Sequence, residues 1–291
     1  MRAGSFFISY ISRMNNLLFT LVLWGGSVVA GLLGALTGLG GGVVIIPLLT
    51  LGFGVDIRYA IGASLISVIG TSSGAAAAYV REGFTNIRIG MFLEVATTIG
   101  AILGATLATV LSTSVIAVLF GLMLLFSAIL STKGHHDIAG AKESHPLAVR
   151  LRLEGEFPAP GGWQRYKVGS VPAGFSLMAV AGAISGLLGI GSGAVKVLAM
   201  DLAMRIPFKV STTTSNFMIG VTAAASAGIY LNRGYIDPAL SMPVILGVLV
   251  GSLVGARLLV AAKTRVLRWV FAVVIFALGV EMIINGISGR L

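Results

Sequence analysis

Apolar runs of about 20 residues recur along this 291-residue chain, each long enough to cross the hydrocarbon core of a bilayer as a helix. They cover 17–52, 59–80, 89–111 and 114–131, then 170–205, 210–231, 239–262 and 266–286. The chain is 56% hydrophobic and only 10% charged, where a soluble domain is about a quarter charged. Most of its surface must therefore face something other than water. Residues 17–36 have the look of a signal peptide, but apolar sequence continues to 52, so an uncleaved first span is expected. The lipid bilayer is thus the first partner the sequence implies.

The second constraint is repetition. Gly38-Leu39-Gly40-Gly41-Gly42 returns 151 residues later as Gly189-Ile190-Gly191-Ser192-Gly193. The same shift carries Arg58 onto Lys209, Ser64 onto Ser215, Thr71 onto Thr222, Gly83 onto Gly234, Gly100 onto Gly251 and Gly104 onto Gly255, without a gap. Two homologous halves follow, 1–131 and 171–291, joined by a polar linker at 132–170. The linker mixes charges with Pro146, Pro158, Pro160 and Gly161-Gly162, a composition that predicts partial disorder. Trp163 and Tyr166 near its end suit a membrane interface.

The fold class is all-α and polytopic, with four or five transmembrane helices per half and glycine-broken helices. If the glycines only kink a helix, each half crosses four times and the repeats are parallel. If they make a turn, each half crosses five times and the repeats are inverted. The five-crossing count leaves only Arg2, Arg13, Arg58, Arg233 and Arg290 on one side, with fourteen Lys and Arg opposite. The positive-inside rule favours that inverted layout, with a cytoplasmic linker and both termini outside. Residues 43–52 are too short to span comfortably, so a re-entrant or tilted segment is expected there.

The net charge of +10 would suggest nucleic acid in a soluble domain. Here the basic residues lie between apolar runs and set orientation, so no nucleic-acid partner is expected. There is no cysteine, which removes disulfides, thiolate metal sites and iron–sulfur clusters. His135, His136 and His145 lie together in the linker and read as solvated, so no metal and no cofactor is expected.

Glycine triplets weaken a membrane helix by about 1 kcal/mol each relative to alanine and so need a reason. A break would free amides at the start of a half-helix, where partial positive charge attracts anions. This makes Gly40, Gly41, Gly42, Gly191, Ser192 and Gly193 candidate substrate contacts; the alternative is close packing through small residues, which Gly100/Gly104 and Gly251/Gly255 illustrate. Neither motif is a nucleotide fingerprint, since no strand precedes it and Gly-Lys-Ser/Thr is absent.

Lys196 is the most informative charge, because a lysine within an apolar run rarely faces lipid. It would add a full charge to an anion-friendly helix start, with Asp201 or Glu94 as counter-ion; a structural ion pair or a snorkelling lysine is the alternative. Ser64, Ser67 and Thr71 share a helix face, and Thr222 continues the stripe of Ser215. Ser64, Ser215 and Asn216 are further substrate candidates, set against a Ser211 that caps its helix and hydroxyls that glue helices together. Glu94 and Glu281 lie nearer helix ends, within reach of the interface, with proton coupling a further role for Glu94.

These segments resemble the sulfite exporter TauE/SafE family of membrane transporters. The likeness rests on 37–47 and 188–198, on the helices that follow each (Ala60-Ile61-Gly62-Ala63-Ser64 and 211–215), and on the turns Gly83-Phe84-Thr85-Asn86 and Gly234-Tyr235-Ile236-Asp237. It implies transport of small anions, typically sulfite, sulfoacetate or other organosulfur compounds, without ATP. Ser192 stands where a third glycine is usual, and Lys196 and Leu198 depart from the apolar-then-proline pattern that Pro47 keeps. The added lysine still points to an anion.

The leading reading is a secondary transporter that exports a small anion across the bacterial inner membrane by alternating access, driven by a proton gradient or by the membrane potential, which is worth about 2.3 kcal/mol per charge per 100 mV. An anion channel or a scaffold subunit is the alternative. An intramembrane enzyme is disfavoured, since no histidine lies in an apolar run and Asp201 has no aspartate partner there. The sequence leaves open whether the chain oligomerises.

Overall fold

The computed structural model describes residues 16–37, 41–81, 83–132, 141, 143–159, 162–261 and 264–289. It is helical with one small hairpin. Helix α1 (Asn16–Thr37) precedes the short α2 (Gly42–Pro47), which runs into a π-helical turn at Leu48–Gly52. Then come α3 (Ile57–Arg81), α4 (Ile87–Val110) and α5 (Thr113–Thr132). The linker holds the one-turn α6 (Pro146–Arg150) and an antiparallel hairpin of β1 (Gly155–Ala159) and β2 (Gly162–Tyr166). Helix α7 (Val171–Leu188) precedes α8 (Gly193–Leu198) and a second π-helical turn at Ala199–Ala203. The long helices α9 (Phe208–Asn232), α10 (Pro238–Ala261) and α11 (Thr264–Ile287) complete the chain.

The helix starts from α2 to α5 recur 151 residues on, from α8 to α11, and so do the π-helical turns. The π turns are not caused by proline. Pro47 leads into the first, whereas Leu198 occupies the corresponding place before the second.

By length and hydropathy, Ile87–Val110, Thr113–Leu130 and Val171–Leu188 each suffice to cross a membrane. Exposure on α4 has helical period and the opposite sense to a soluble helix. Met91, Val95, Ile99, Leu103 and Leu107 face outward, while Gly100, Ala101, Gly104 and Ala105 face the protein. Such a surface suits lipid rather than water.

The main packing pairs join opposite halves: α1 with α10, α4 with α7, α5 with α11, and α3 with α9. Small residues make this approach feasible. A side-chain carbon on Gly100 or Gly104 would collide with the carbonyls of Ala179 and Ala183, and one on Gly251 with that of Val28. The surroundings of Gly255 lie outside the described residues.

One end of the bundle gathers the start of α3, the end of α4 and the turn after α9. Arg58 donates from Nη2 to the Leu111 carbonyl at 2.6 Å, and its guanidinium lies over the Tyr235 ring. The other end gathers the turn after α3, the start of α9 and the linker. Lys209 lies over the Phe84 ring, and the Gly169 amide donates to the Met204 carbonyl at 2.7 Å.

The described part of the linker is folded. Ala148, Leu153, Tyr166 and Val168 are buried in one cluster with Ile89 and Leu93 of α4 and Met204. Asn86 ties it down: its side chain caps α4 at the Ile89 amide and donates to the Leu153 carbonyl and the Tyr166 hydroxyl. Gly155 and Gly162 open the two strands of the hairpin, and Pro158 lies within β1 opposite Trp163. His145 caps α6 through Nδ1, while His135 and His136 lie outside the described residues. Trp163 is exposed at the hairpin and sits over Gly83.

Candidate functional site

The second glycine cluster is a true break. Gly189 ends α7 in the left-handed region (φ 68°), Gly191 repeats it (φ 72°), and Ser192 follows at φ 42°. Glycine adopts this backbone without steric cost, whereas Ser192 is strained there. Its hydroxyl donates to the Ala181 carbonyl at 2.7 Å, an anchor that a third glycine would lack. In the first half, Gly38, Leu39 and Gly40 lie outside the described residues; Gly41 is the N-cap of α2 and packs on Val248.

The two breaks meet. Ser64 on α3 donates to the Gly189 carbonyl at 2.8 Å, and Gly42 leaves the room that the Ser64 hydroxyl fills. Val68 packs between Gly42 and Gly191. Ser215 on α9 donates to the Gly193 carbonyl at 3.3 Å. Thus Ser64 and Ser215 brace the second break from helices of opposite halves. Asn216 is half-buried, about 100° round α9 from Ser215, and takes no part in these bonds. Ser211 does not cap α9. The helix begins at Phe208 with Pro207 as its N-cap, whose fixed φ sets the helix entry, and Ser211 bonds the Ile206 carbonyl instead.

Lys196, in α8 just after the break, is fully buried. Its ammonium donates to the Thr222 hydroxyl at 2.6 Å, and that hydroxyl donates to Glu94 Oε1 at 2.7 Å. The counter-ion is therefore Glu94, reached across one hydroxyl and across the two halves. Thr98 adds a second donor to the same oxygen at 3.2 Å. Among the described residues, nothing bonds Glu94 Oε2, although that atom is buried.

Glu94 does not reach the interface, as its place near a helix end implied: it is 8% exposed. It lies two turns, about 12 Å, inside the Asn86 cap, and the linker covers that end of α4. Glu281, by contrast, is exposed. Thr222 bridges the two charges, and the sequence reading left it out of the site. Its signal was present in the stripe of Ser215, but only the fold brings it between two charges.

Asp201 lies buried in the π-helical turn beyond Lys196. A groove of about 440 Å³ between α4, α5 and α7 is lined by Leu103, Leu107, Leu119, Phe126, Ile184 and others, all apolar. None of Lys196, Glu94 and Thr222 lines it.

A multi-pass helical bundle with a lipid-facing surface and a charge pair sealed in its core has the architecture of a membrane transporter. The chain belongs to the sulfite exporter TauE/SafE family, whose sequence model matches residues 23–282. It is 27% identical over 267 residues to "Probable membrane transporter protein YunE" of Bacillus subtilis (strain 168), covering 89% of this chain and 95% of that protein. It is likewise 27% identical to "Probable membrane transporter protein YdhB" of the same organism, over 83% of this chain and 89% of the relative. A "Probable membrane transporter protein" of Xylella fastidiosa (strain 9a5c) is 25% identical over 89% of this chain and 92% of its own length. No solved structure matches the chain.

Proposed function

We propose that this protein is a secondary transporter that exports a small anion, of the sulfite or sulfoacetate kind, across the bacterial inner membrane by alternating access. The observation that carries the reading is Lys196: a cation with no exposed surface, beside a broken helix, at the meeting of both halves. Burying a charge in a bilayer is costly, and such residues commonly mark ion or substrate paths. The amides freed at Gly191-Ser192-Gly193, the Ser64 and Ser215 hydroxyls and Asn216 supply uncharged donors around it, with Gly40, Gly41 and Gly42 as the counterpart in the first half.

We read the two halves as an inverted repeat with the linker in the cytoplasm. Positions 151 apart support this, since Arg58 lies with Tyr235 at one end while Lys209 lies with Phe84 and the linker at the other. The pairing of helices across halves argues that access alternates by movement of crossed helix pairs rather than of two separate lobes. The sealed surroundings of Lys196 correspond to an occluded state.

The test is efflux from proteoliposomes loaded with sulfite, thiosulfate, sulfoacetate, sulfate, acetate or chloride. Saturable flux of an organosulfur anion supports the reading. Flux that rises linearly with concentration indicates a channel, and absence of flux for every anion indicates a scaffold; either overturns it.

A further inference from the structure

We propose that Glu94, Thr222 and Lys196 form a proton-switched anion site, in which protonation of Glu94 releases the Lys196 charge to hold one monovalent anion. Proton and anion then cross together. This rests on the transport reading above and adds what couples to the anion.

The first argument comes from the other half. The shift of 151 places Ile45 opposite Lys196, Thr71 opposite Thr222 and Ile245 opposite Glu94. The hydroxyl is kept on both sides, while the two charges are replaced together by two isoleucines. Ile45 is fully buried, so this scaffold packs well at that place without any charge. A buried ion pair is commonly no more stable than well-packed apolar residues of like volume. Packing therefore gives no reason for Glu94 and Lys196 to be there.

The second argument is the bonding of the carboxylate. Oε1 takes the hydroxyls of Thr222 and Thr98, whereas Oε2 is buried with no donor among the described residues. A bare carboxylate oxygen out of water is costly, and it is the atom to which a proton adds. Once Glu94 is neutral, the Thr222 hydroxyl can turn to the Met218 carbonyl, 3.0 Å away, and the ammonium is left without a counter-ion.

Among the described residues, the elements packed around Lys196 carry few other charges. Helix α7 carries no ionisable side chain, and α9 carries Lys209 at its start and Tyr230 near its end. On α4 the other charge is Arg88, near the cap, and Asp201 lies in the turn beyond Lys196.

Charge then balances in both states. Lys196 is offset by Glu94 in one and by the anion in the other, with the proton on Glu94. One proton enters from water at the open face, one anion binds beside it, and both leave at the opposite face. The cycle moves no net charge. Direction follows the product of proton and anion concentrations on the two sides, so export proceeds when the anion has accumulated inside beyond the opposing pH gradient.

The full-length protein would be reconstituted with a pH dye inside the vesicles and supplied with methanesulfonate, isethionate, nitrate or chloride, whose charge is fixed across the pH range used. For wild type we expect one proton per anion, flux unchanged when potassium and an ionophore clamp the potential, and half-saturation that tightens up to about tenfold per unit fall in pH. Glu94→Gln keeps anion exchange, now flat with pH, and loses proton movement. Should Glu94→Gln fail to fold, Glu94→Asp takes its place, with proton coupling retained and the pH profile displaced. Saturable flux that carries charge without protons, or a pH profile unchanged in Glu94→Gln, overturns the coupling and leaves the transport reading standing. Absence of saturable flux with wild type, both for these probes and for the sulfite, thiosulfate and sulfoacetate panel above, overturns both.

Discussion

At the scale of the residue, the account turns on three side chains. Lys196→Met leaves Glu94 buried without its counter-ion, and breaking a buried pair from one side typically costs about 3–5 kcal/mol. We expect a clear fall in the unfolding midpoint of the detergent-solubilised protein. Adding Glu94→Gln should restore most of it, because the other half holds two isoleucines at these positions. Thr222→Val removes the bridging hydroxyl and should cost about 1–3 kcal/mol, since both buried charges lose a bond. If the double variant melts as low as Lys196→Met alone, the two charges are not energetically coupled. The sequence made part of this legible. Lys196 stood out because a lysine is expensive in an apolar run, but Glu94 looked interfacial, since nothing in the local sequence tells that the linker folds over the start of α4.

At the scale of the element, glycine decides how closely helices approach. Gly104→Ala would drive a methyl group into the Ala183 carbonyl on α7, where only backbone could yield. Such overpacking typically costs about 1–3 kcal/mol. Gly228→Ala on α9 meets nothing within 4 Å and should stabilise by about 0.4–1 kcal/mol through the unfolded chain. Thermal unfolding of both variants gives opposite signs if the packing is as described, and equal signs if it is not. The linker has its own signature. Burial pushes the Tyr166 phenol up from 10.0 to about 12, opposed by its bond from Asn86. The raised value means that its contribution to linker stability is complete below about pH 10 and is lost as pH rises through 12. The phenolate absorbance of wild type minus Tyr166→Phe should therefore show one step near pH 12; a step near 10 would mean an exposed ring. Helix limits were readable to within a few residues from glycine, proline and charge. Which helices pair was not, because α1 with α10 and α4 with α7 are contacts between distant residues that no local pattern encodes.

At the scale of the whole molecule, helices of the two halves pair across one another and the buried charge pair spans both. The absence of cysteine makes topology directly measurable. Single cysteines at Gln164 in the hairpin and at Arg233 after α9 should react with an impermeant thiol reagent from opposite sides, Gln164 from the cytoplasm. Labelling from the same side would overturn the inverted layout. The central claim, that a small anion crosses through the Lys196 site, is tested most directly by saturable efflux through wild type and the Lys196→Met/Glu94→Gln double variant, reconstituted side by side. The account predicts that the double variant inserts and melts like wild type but carries no saturable anion flux. Undiminished flux in the folded double variant would contradict it.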